Sequence, residues 1–292
     1  MRSLLFVPGD DERKIAKALE SAADALILDL EDAVASSRKP AAREFCAAAL
    51  RGANTSKALF VRINALDTAD AVLDLEAVVG AKPFGVVLPK CRNGDDVRRL
   101  AREIDALEVR VGIATGGIRI LPIVTETAAS LFGLGTYGAP AIPRLFGMMW
   151  GGEDLAADLG AISNRDASGR YAAPYEMART LCLCGAAGAG VLPVDAVYTD
   201  FRNHDGLKVE ALQGLRDGFG AKAAIHPAQV AVINDAFTPS RSDIEWAKRV
   251  IAVFEEAGDA GVAAVDSRML DRPHLRSAQR TLDRAREAGV TA

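Results

Sequence analysis

The chain has 292 residues, half of them hydrophobic and a quarter charged, which is the composition of a globular protein with a large core. Its 35 basic and 39 acidic residues give a net charge of −4, which argues against a nucleic-acid-binding surface. No apolar run reaches the ~18 residues of a membrane span, and the first run is too short for a signal peptide. We therefore expect a soluble, cytoplasmic protein, and its 4 cysteines show no metal-ligand spacing.

Short apolar runs alternate with longer amphipathic segments along most of the chain. Eight runs predict strands, at 3–7, 25–30, 58–63, 85–89, 118–124, 144–150, 196–198 and 223–225. Helical patterns separate many of them, at 11–23, 39–50, 70–79, 95–107 and 175–185. Such alternation indicates parallel βα units, and eight units predict a (β/α)8 TIM barrel. A doubly wound open sheet is the alternative, because counting strands cannot show closure.

The pattern changes after the eighth run. A Ser-capped helix over 243–257 and a glycine-containing link over 258–261 lead to two short segments, 262–265 and 268–271, and then to a basic helix from about His274. We predict a catalytic barrel over residues 1–237 and a C-terminal helix–hairpin–helix arm over 238–292. The arm either covers the site as a lid or packs on a neighbouring subunit.

Charged residues follow several predicted strands at the same end. Arg62 ends the third strand, Glu126 ends the fifth, and Asp154 follows the sixth in a Gly-Gly-Glu-Asp turn. These strand ends form the active face of a TIM barrel, and neighbouring strands lie roughly 5 Å apart. Two carboxylates without histidine or cysteine suit a hard divalent cation, so the set predicts a metal-assisted lyase site. Helix capping or solvation is the alternative for either carboxylate alone.

Three carboxylates, Asp29, Glu31 and Asp32, follow the second predicted strand within four residues. Packed carboxylates repel each other unless a cation compensates. They therefore predict a supporting layer that orients metal-bound water or Arg62. Asp32 could equally cap a following turn.

Two other polar residues at strand ends have competing interpretations. Lys90 could form a Schiff base, but an ion pair with nearby carboxylates is the simpler interpretation. Schiff-base chemistry would also leave the two carboxylates Glu126 and Asp154 without a role. His226 could be a general base or a fixed hydrogen-bonding residue. The glycine-rich stretch 185–190 lies at a helix end, where a C-cap explains it better than a phosphate loop.

Nine motifs in order give the chain a nearly end-to-end resemblance to a known family. They are 2–9 (RSLLFVPG), 28–34 (LDLEDAV), 61–67 (VRINALD), 88–90 (LPK), 126–128 (ETA), 152–159 (GEDLAADL), 224–229 (AIHPAQ), 237–240 (FTPS) and 268–271 (RMLD). In these motifs the chain resembles the citrate lyase β-subunit-like branch of the HpcH/HpaI aldolase family, which includes malyl-CoA and citramalyl-CoA lyases. The resemblance implies a TIM barrel with a C-terminal arm and a homo-oligomer, a trimer or hexamer, with shared active sites.

The resemblance also implies roles for the residues at the strand ends. Glu126 and Asp154 would be the Mg²⁺ ligands, with Glu126 also contacting the substrate. Arg62 would bind the substrate and polarise its thioester oxygen. Glu31 and Asp32 would support the waters of the metal and take part in catalysis.

The remaining implied contacts concern coenzyme A and the arm. Phe6, Lys17, Ile225 and His226 fall where the family contacts coenzyme A. Asp271 matches the acid/base of the family, which is delivered from the arm into the site of an adjacent subunit.

The chain departs from the family pattern at two places. The family often has an arginine two residues after the first Pro-Gly, where this chain has Asp11, with Arg13 and Lys14 nearby. Before Asp154 the relatives usually read Phe-Gly-Pro, whereas this chain has Trp150-Gly-Gly, which predicts a pocket wall shaped for a different acyl group.

The predicted function is Mg²⁺-dependent cleavage or formation of a 3-hydroxyacyl-CoA thioester, of the malyl-, citramalyl- or citryl-CoA type, by a retro-Claisen reaction. One alternative is a metal-dependent 2-keto acid aldolase that acts on free acids. Another is the β subunit of a citrate lyase complex that acts on an acyl-carrier-protein thioester.

Overall fold

The computed structural model describes residues 1–258, 261–266 and 268–290, and within these ranges eight parallel strands form the centre of the molecule. They are β1 Ser3–Pro8, β2 Ala25–Asp29, β3 Ala58–Arg62, β4 Gly85–Leu88, β5 Arg119–Pro122, β6 Gly147–Met149, β7 Leu192–Asp195 and β8 Ala221–Ala224. β1 lies between β2 and β8, and the sheet runs from there to β5 on one side and to β6 on the other.

The two outer strands of this sheet meet and close it. Ile120 N donates a hydrogen bond to Arg144 O at 2.7 Å, and Phe146 N donates to Ile120 O at 2.8 Å. Further along, Val124 N donates to Met149 O at 2.8 Å. The predicted TIM barrel is therefore confirmed, and the open-sheet interpretation is wrong because β5 and β6 are paired.

Helices follow the barrel strands in sequence, and the last two helices belong to the tail. They are α1 Glu12–Leu19, α2 Lys39–Gly52, α3 Ala69–Val78, α4 Gly94–Arg110, α5 Glu153–Asp158, α6 Ala173–Ala189, α7 His204–Asp217, α8 Pro227–Phe237, α9 Arg241–Glu256 and α10 Arg272–Glu287. None of the helices in the described ranges has both the length and the apolar character needed to cross a bilayer.

The strands bury side chains on both faces, which is why they read as continuous apolar runs. Alternate residues such as Leu4, Ile27 and Phe60 fill the barrel interior, while Leu5 and Leu26 pack under the helices. The interior is thus a packed core, and a binding cavity has to form at the rim.

The seventh strand lies earlier than the sequence prediction placed it. It covers Leu192–Asp195 rather than 196–198, because Pro193 and a charged residue make this run look like a turn. Asp195 therefore ends the strand, whereas Asp200 lies exposed in the loop beyond it. The eighth strand also begins earlier than predicted, and it contains Lys222, a lysine with no exposed surface.

The tail forms the helix–hairpin–helix arrangement that the sequence predicts. Between α9 and α10, strands β9 Val262–Val265 and β10 Arg268–Asp271 pair antiparallel. Residues 259–260 of the predicted link, and the last two residues of the predicted arm, lie outside the described residues. At the far end of α10, Glu287 accepts a 2.8 Å ion pair from the Met1 ammonium, so this helix reaches the strand-start end of the barrel.

Candidate active site

Four predicted site residues line one cavity at the carboxyl ends of the strands, and three of them are the charged residues Arg62, Glu126 and Asp154. Arg62 ends β3, Glu126 follows β5 by four residues, and Asp154 lies in the first turn of α5 directly after β6. The cavity has a volume of about 90 Å³, and its other walls include Phe6 and Trp150. The structure therefore brings together the three strand-end residues that sequence reasoning placed on one rim.

Arg62 is held rigidly by two carboxylates. Its Nε and Nη2 donate to the two oxygens of Asp29 at 2.7 and 2.6 Å, and its Nη1 lies 3.0 Å from Glu31 Oε2. This arrangement follows from the β2–β3 register, which pairs Asp29 directly with Arg62. Burial alone would lower the pKa of Arg62, but these carboxylates outweigh it and raise the pKa. A guanidinium has five N–H donors, so two remain for a ligand in the cavity.

Glu126 is a buried carboxylate with incomplete compensation. It is 3% exposed, and it accepts a short hydrogen bond from the backbone N–H of Lys90, whose φ of 50° turns that group toward it. Burial raises the pKa of Glu126 to about 8, and the charges of Asp154 and Glu31 add to the effect, against the opposing influence of Lys90 and Arg62. The site would therefore hold its negative charge more readily with a further cation present.

The Lys90 ammonium lies among the remaining carboxylates of the rim. Its Nζ contacts Glu31, lies 3.2 Å from Asp32 and lies 3.7 Å from Asp154. Burial lowers the pKa of Lys90, but Glu31 and its neighbours overcome this and raise the pKa well above its ordinary value. A lysine held so firmly protonated is a poor nucleophile, which favours the ion-pair interpretation over the Schiff base.

The donor set at Glu126 and Asp154 fits a Mg²⁺ ion. Within the described parts of the chain, no three side chains of His, Cys, Asp or Glu converge as a ready-made metal cage. Mg²⁺ is commonly held by one or two carboxylates while it keeps several waters or takes substrate oxygens, so two carboxylates suffice. Among the described residues, none donates a well-aligned hydrogen bond to the buried Oε2 of Glu31, but Nη1 of Arg62 lies 3.0 Å from it.

The glycine pair before Asp154 is required by close packing. A Cβ atom at Gly151 would lie 3.0 Å from Cγ of Glu126, and one at Gly152 would lie 3.0 Å from Cζ3 of Trp150. Both contacts are tighter than ordinary van der Waals separation, so a side chain at Gly151 would displace Glu126 and one at Gly152 would displace Trp150.

The predicted coenzyme A contacts are more scattered. Phe6 lines the cavity, with its ring centroid 5.0 Å from the Arg62 guanidinium carbon. Lys17 lies exposed in the last turn of α1, and Ile225 and His226 lie exposed after β8, so these three are outside the cavity lining. Their role in nucleotide binding stays a prediction.

His226 has a structural role that accounts for its position. Its Nδ1 accepts a hydrogen bond from Ala228 N at 3.2 Å and caps α8, while the Gln229 side chain accepts a hydrogen bond from the His226 backbone N–H. The imidazole also stacks on Phe201 at 4.8 Å. These contacts favour the fixed hydrogen-bonding residue over the general base.

Asp11, which stands where the family often has an arginine, is likewise an N-cap. Its carboxylate accepts hydrogen bonds from Arg13 N and Lys14 N at the start of α1. The residue therefore begins the helix that carries Lys17, and its presence has a local structural reason.

Asp271 lies away from the cavity of its own chain. It is the last residue of β10 and the N-cap of α10, and its carboxylate contacts His274 Nδ1 at 2.6 Å. None of the described residues of the tail lines the cavity. Hydrogen bonding to His274 holds the pKa of Asp271 below its ordinary value, which does not suit a general acid.

Sequence reasoning missed a set of buried and half-buried residues at and behind the cavity. Tyr171 lines the cavity beside Trp150, and Asp195, Lys222 and Glu210 form a charged cluster behind them. Correct placement of β7 would have marked Asp195 as another carboxylate at a strand end. No comparable signal points to Lys222, because a lysine in an alanine run resembles an exposed residue.

Comparisons with known proteins agree with the geometry. The sequence profile described as HpcH/HpaI aldolase/citrate lyase matches residues 2–227. The chain is 40% identical over 286 residues to a citrate lyase subunit beta-like protein of Mycobacterium tuberculosis, covering 97% of this chain and 95% of that protein. It is 38% identical over 287 residues to a (3S)-malyl-CoA thioesterase of Cereibacter sphaeroides, covering 97% and 94% of the two chains.

A solved structure shows the same fold. The protein CitE from Mycobacterium tuberculosis, in complex with magnesium, acetoacetate and coenzyme A, superposes with a TM-score of 0.77 at 35% sequence identity. The match covers 97% of each chain, so it includes the tail as well as the barrel.

Proposed function

Because the chain belongs to the HpcH/HpaI aldolase/citrate lyase family, we propose that it is a Mg²⁺-dependent carbon–carbon lyase acting on a 3-hydroxyacyl-CoA thioester. The substrate would be of the malyl-, citramalyl- or citryl-CoA type, cleaved or formed by a retro-Claisen reaction. The observation that carries the proposal is that Arg62, held by Asp29, lines one cavity together with the carboxylates Glu126 and Asp154. The CitE relative supports it, because that protein binds magnesium, acetoacetate and coenzyme A together.

Glu126 and Asp154 would hold the metal. A bound Mg²⁺ ion supplies Lewis-acid polarisation of the substrate hydroxyl and carboxylate oxygens. The Lys90 ammonium would keep the adjacent rim carboxylates compensated, and Glu31 and Asp32, which it contacts, would orient water around the site.

Arg62 would stabilise the charge that develops during carbon–carbon cleavage. The hydroxyl would pass its proton to a water molecule oriented by Glu31 and Asp32. As the bond between C2 and C3 breaks, a keto acid departs and the bonding electrons form an enolate on the thioester. The two N–H groups of Arg62 that Asp29 and Glu31 leave free would donate to the enolate oxygen. Because the guanidinium is already fixed, little reorganisation is needed at the moment of reaction.

The enolate carbon then needs a proton, and we propose Asp271 of a neighbouring subunit as its source. A homotrimer or hexamer would supply such a neighbour, and entry into a partly dry cavity would raise the pKa of Asp271 toward the range that a general acid requires. Lys17, Ile225 and His226 would contact coenzyme A at the outer rim. We also propose that the chain divides into a barrel over 1–237 and an arm over 238–292. The proposed location of the protein is cytoplasmic.

We expect the metal to stabilise the protein measurably. At about 100 times its Kd, Mg²⁺ should add ~2.7 kcal/mol to the free energy of unfolding, which raises Tm by roughly 5 °C in a chain of this size. Asp154→Asn and Glu126→Gln should each remove most of this rise, as measured by differential scanning calorimetry. Glu153→Gln is the matched control, because Glu153 lies in the same turn and accepts from Asn164 at 2.7 Å. An equal Mg²⁺-induced rise in all four proteins would contradict the assignment of the metal ligands.

The reaction class can be decided from the products. A lyase converts malyl-CoA or citramalyl-CoA to acetyl-CoA and a keto acid without releasing a free thiol, whereas a thioesterase releases the thiol of coenzyme A. The thioesterase reaction has to be tested because one relative carries that activity in its name. We expect glyoxylate or pyruvate to appear with no thiol, and both products to depend on added Mg²⁺. Thiol release without a keto acid would overturn the proposed function.

An aldolase and a citrate lyase β subunit would each act on a different substrate. A 2-keto acid aldolase would cleave free hydroxy-keto acids and would not need coenzyme A. A citrate lyase β subunit would be inert with CoA thioesters and active with an acyl-carrier-protein thioester. Testing these substrates with the same purified protein separates both activities from the proposed CoA-thioester lyase.

A further inference from the structure

One wall of the cavity is an aromatic pair, Trp150 and Tyr171. Trp150, which is 1% exposed, follows β6, and Tyr171 precedes α6. Their ring centroids lie 4.9 Å apart at an interplanar angle of 75°, which is a favourable edge-to-face arrangement. Both rings line the cavity together with Ile123, Met149 and Val197. These five side chains give the cavity an apolar part in addition to its charged residues.

The cavity offers little compensation for an additional negative charge, because a Mg²⁺ ion at Glu126 and Asp154 would already take the hydroxyl and carboxylate oxygens that every candidate substrate has. Among the described residues that line it, Arg62 is the only cation, and it already contacts Asp29 and Glu31. The other charged lining residues are acidic. A substrate substituent with its own carboxylate, placed against the aromatic pair, would be desolvated without a partner, and burial of an unpaired charge is strongly unfavourable.

A chain of polar contacts behind the wall connects the two aromatic residues to each other. Trp150 Nε1 donates to Asp195 Oδ1 at 2.6 Å, and Asp195 Oδ2 lies 3.2 Å from Lys222 Nζ. Lys222 also lies 3.0 Å from Oε1 of Glu210. Burial would raise the pKa of Asp195, but the charges of Lys222 and Arg179 outweigh burial and lower this pKa. The carboxylate that accepts from Trp150 therefore stays ionised.

The same chain continues to the second ring. Glu210 Oε2 accepts from Arg165 Nη2 at 2.7 Å, and the Arg165 guanidinium carbon lies 3.9 Å from the centroid of Tyr171. Since Tyr171 packs on Trp150, the contacts form a closed ring of six residues, which we call the clamp: Trp150, Asp195, Lys222, Glu210, Arg165 and Tyr171. Every member is fixed by its two neighbours, so the clamp holds the aromatic wall in one position.

Tyr171 also separates the cavity from a second space. An outer groove of about 620 Å³ lies on the other side of this residue, lined by Arg165, Tyr198 and Glu210 among others. Tyr171 lines both the cavity and this groove. Removal of its ring would therefore connect the small apolar pocket to a larger and more polar volume.

We propose that Trp150 and Tyr171 determine the acyl specificity of the enzyme by admitting a compact, uncharged substituent on the hydroxyl-bearing carbon and rejecting a carboxymethyl group, and that Glu210 and Asp195 are positioning residues for this wall. Malyl-CoA carries hydrogen at that position, citramalyl-CoA carries methyl, and citryl-CoA carries carboxymethyl. The inference rests on the proposed lyase function and specifies its substrate.

The first test compares kcat/KM for citramalyl-CoA and citryl-CoA. The wild-type protein should favour citramalyl-CoA by about 100-fold or more. Tyr171→Ala should reduce this ratio by at least about tenfold, mainly through the KM for citryl-CoA, because the carboxymethyl group gains access to solvated space. Tyr171→Phe, which keeps the ring, should restore the wild-type ratio. Equal rates with both substrates in the wild type, or an unchanged ratio in folded Tyr171→Ala, would overturn the proposal.

The second test addresses the positioning residues. Glu210 does not line the cavity, and Glu210→Gln keeps its volume while removing the charge that pairs with Arg165 and Lys222. We expect the substrate ratio to fall several-fold in Glu210→Gln. Glu108→Gln is the matched control, because Glu108 is also a buried glutamate that pairs with an arginine, Arg144, but it lies away from the clamp at the opposite end of the barrel. A fall of equal size in both variants would show that general loss of ion pairs, rather than the clamp, changes the ratio.

A fluorescence measurement keeps the inference testable even if the protein has no lyase activity. Trp150 and Trp246 are the two tryptophans of the chain, so Trp246→Phe leaves Trp150 as the only indole. With Mg²⁺ present, pyruvate should change the Trp150 emission at concentrations at least tenfold below those that oxaloacetate requires, and Tyr171→Ala should narrow that gap. Lyase inactivity with this binding preference would refute only the proposed function. Lyase activity with equal binding of the two keto acids would refute only the proposed role of Trp150 and Tyr171 in acyl specificity.

Discussion

Replacement of Arg62 by lysine should lower kcat by about 10²–10³-fold, the loss expected when a preorganised oxyanion donor is removed. Lysine keeps the positive charge, but its single ammonium cannot both hold the two oxygens of Asp29 and reach the substrate. The guanidinium does both, because three of its donors face Asp29 and Glu31 while two remain. The measurement is steady-state turnover with the preferred thioester, together with Tm.

A second buried arginine provides the control for that prediction. Arg144 is 3% exposed and pairs with Asp105 and Glu108, but it lies just before β6, at the end of the barrel opposite the cavity. Arg144→Lys should lower Tm at least as much as Arg62→Lys while leaving kcat within about threefold of the wild type. Near-normal turnover in Arg62→Lys would mean that Arg62 only maintains structure.

The rim residues could be predicted because the fold converts sequence position into spatial position. Arg62, Glu126 and Asp154 each follow an apolar run, and in a parallel barrel all such positions lie on one face. The rule depends on strand ends and not on the details of packing, so it tolerates errors of a few residues in the strand limits. The Arg62–Asp29 pair was accessible for the same reason, since both residues end adjacent strands.

The clamp could not be predicted because its charges are buried. Burial of Asp195 and Lys222 makes sense only when each compensates the other across neighbouring strands, and that pairing needs the correct strand register. The prediction placed the seventh strand after Asp195, so Asp195 was assigned to a loop and its pairing with Lys222 was missed. No sequence pattern indicated a role for Tyr171, because it belongs to an irregular segment whose path is set by tertiary contacts.

The arm shows a third kind of limit. Its helices and hairpin follow from local patterns, including the Ser240 capping box that begins α9. Its function does not follow from a single chain, because the Asp271 carboxylate contacts only its own helix among the described residues. If Asp271 is a catalytic residue, the complete site exists only in an oligomer, and a test must create sites from two different chains.

Two inactive variants should therefore rescue each other when they share an oligomer. Asp271→Asn removes the proposed acid but keeps a good helix N-cap, and Glu126→Gln removes a proposed metal ligand. In a randomly mixed cyclic oligomer, about one quarter of the sites would combine intact Glu126 from one chain with intact Asp271 from its neighbour. We expect lyase activity near that fraction of the wild-type value after co-expression, with mixing verified by native mass spectrometry.

The matched control for this rescue uses two lesions that always belong to the same barrel. Glu126 and Asp154 line one cavity within one chain, so mixed oligomers of Glu126→Gln and Asp154→Asn contain no site with both carboxylates intact. That mixture should stay inactive at every ratio, whereas the Asp271→Asn and Glu126→Gln mixture should have maximum activity near equal proportions. If the Asp271→Asn and Glu126→Gln mixture recovers no activity although mixing is verified, Asp271 acts within its own chain or has no part in the reaction. Recovery in both mixtures would point instead to exchange or refolding of the barrels, and the shared-site proposal would then lose its support.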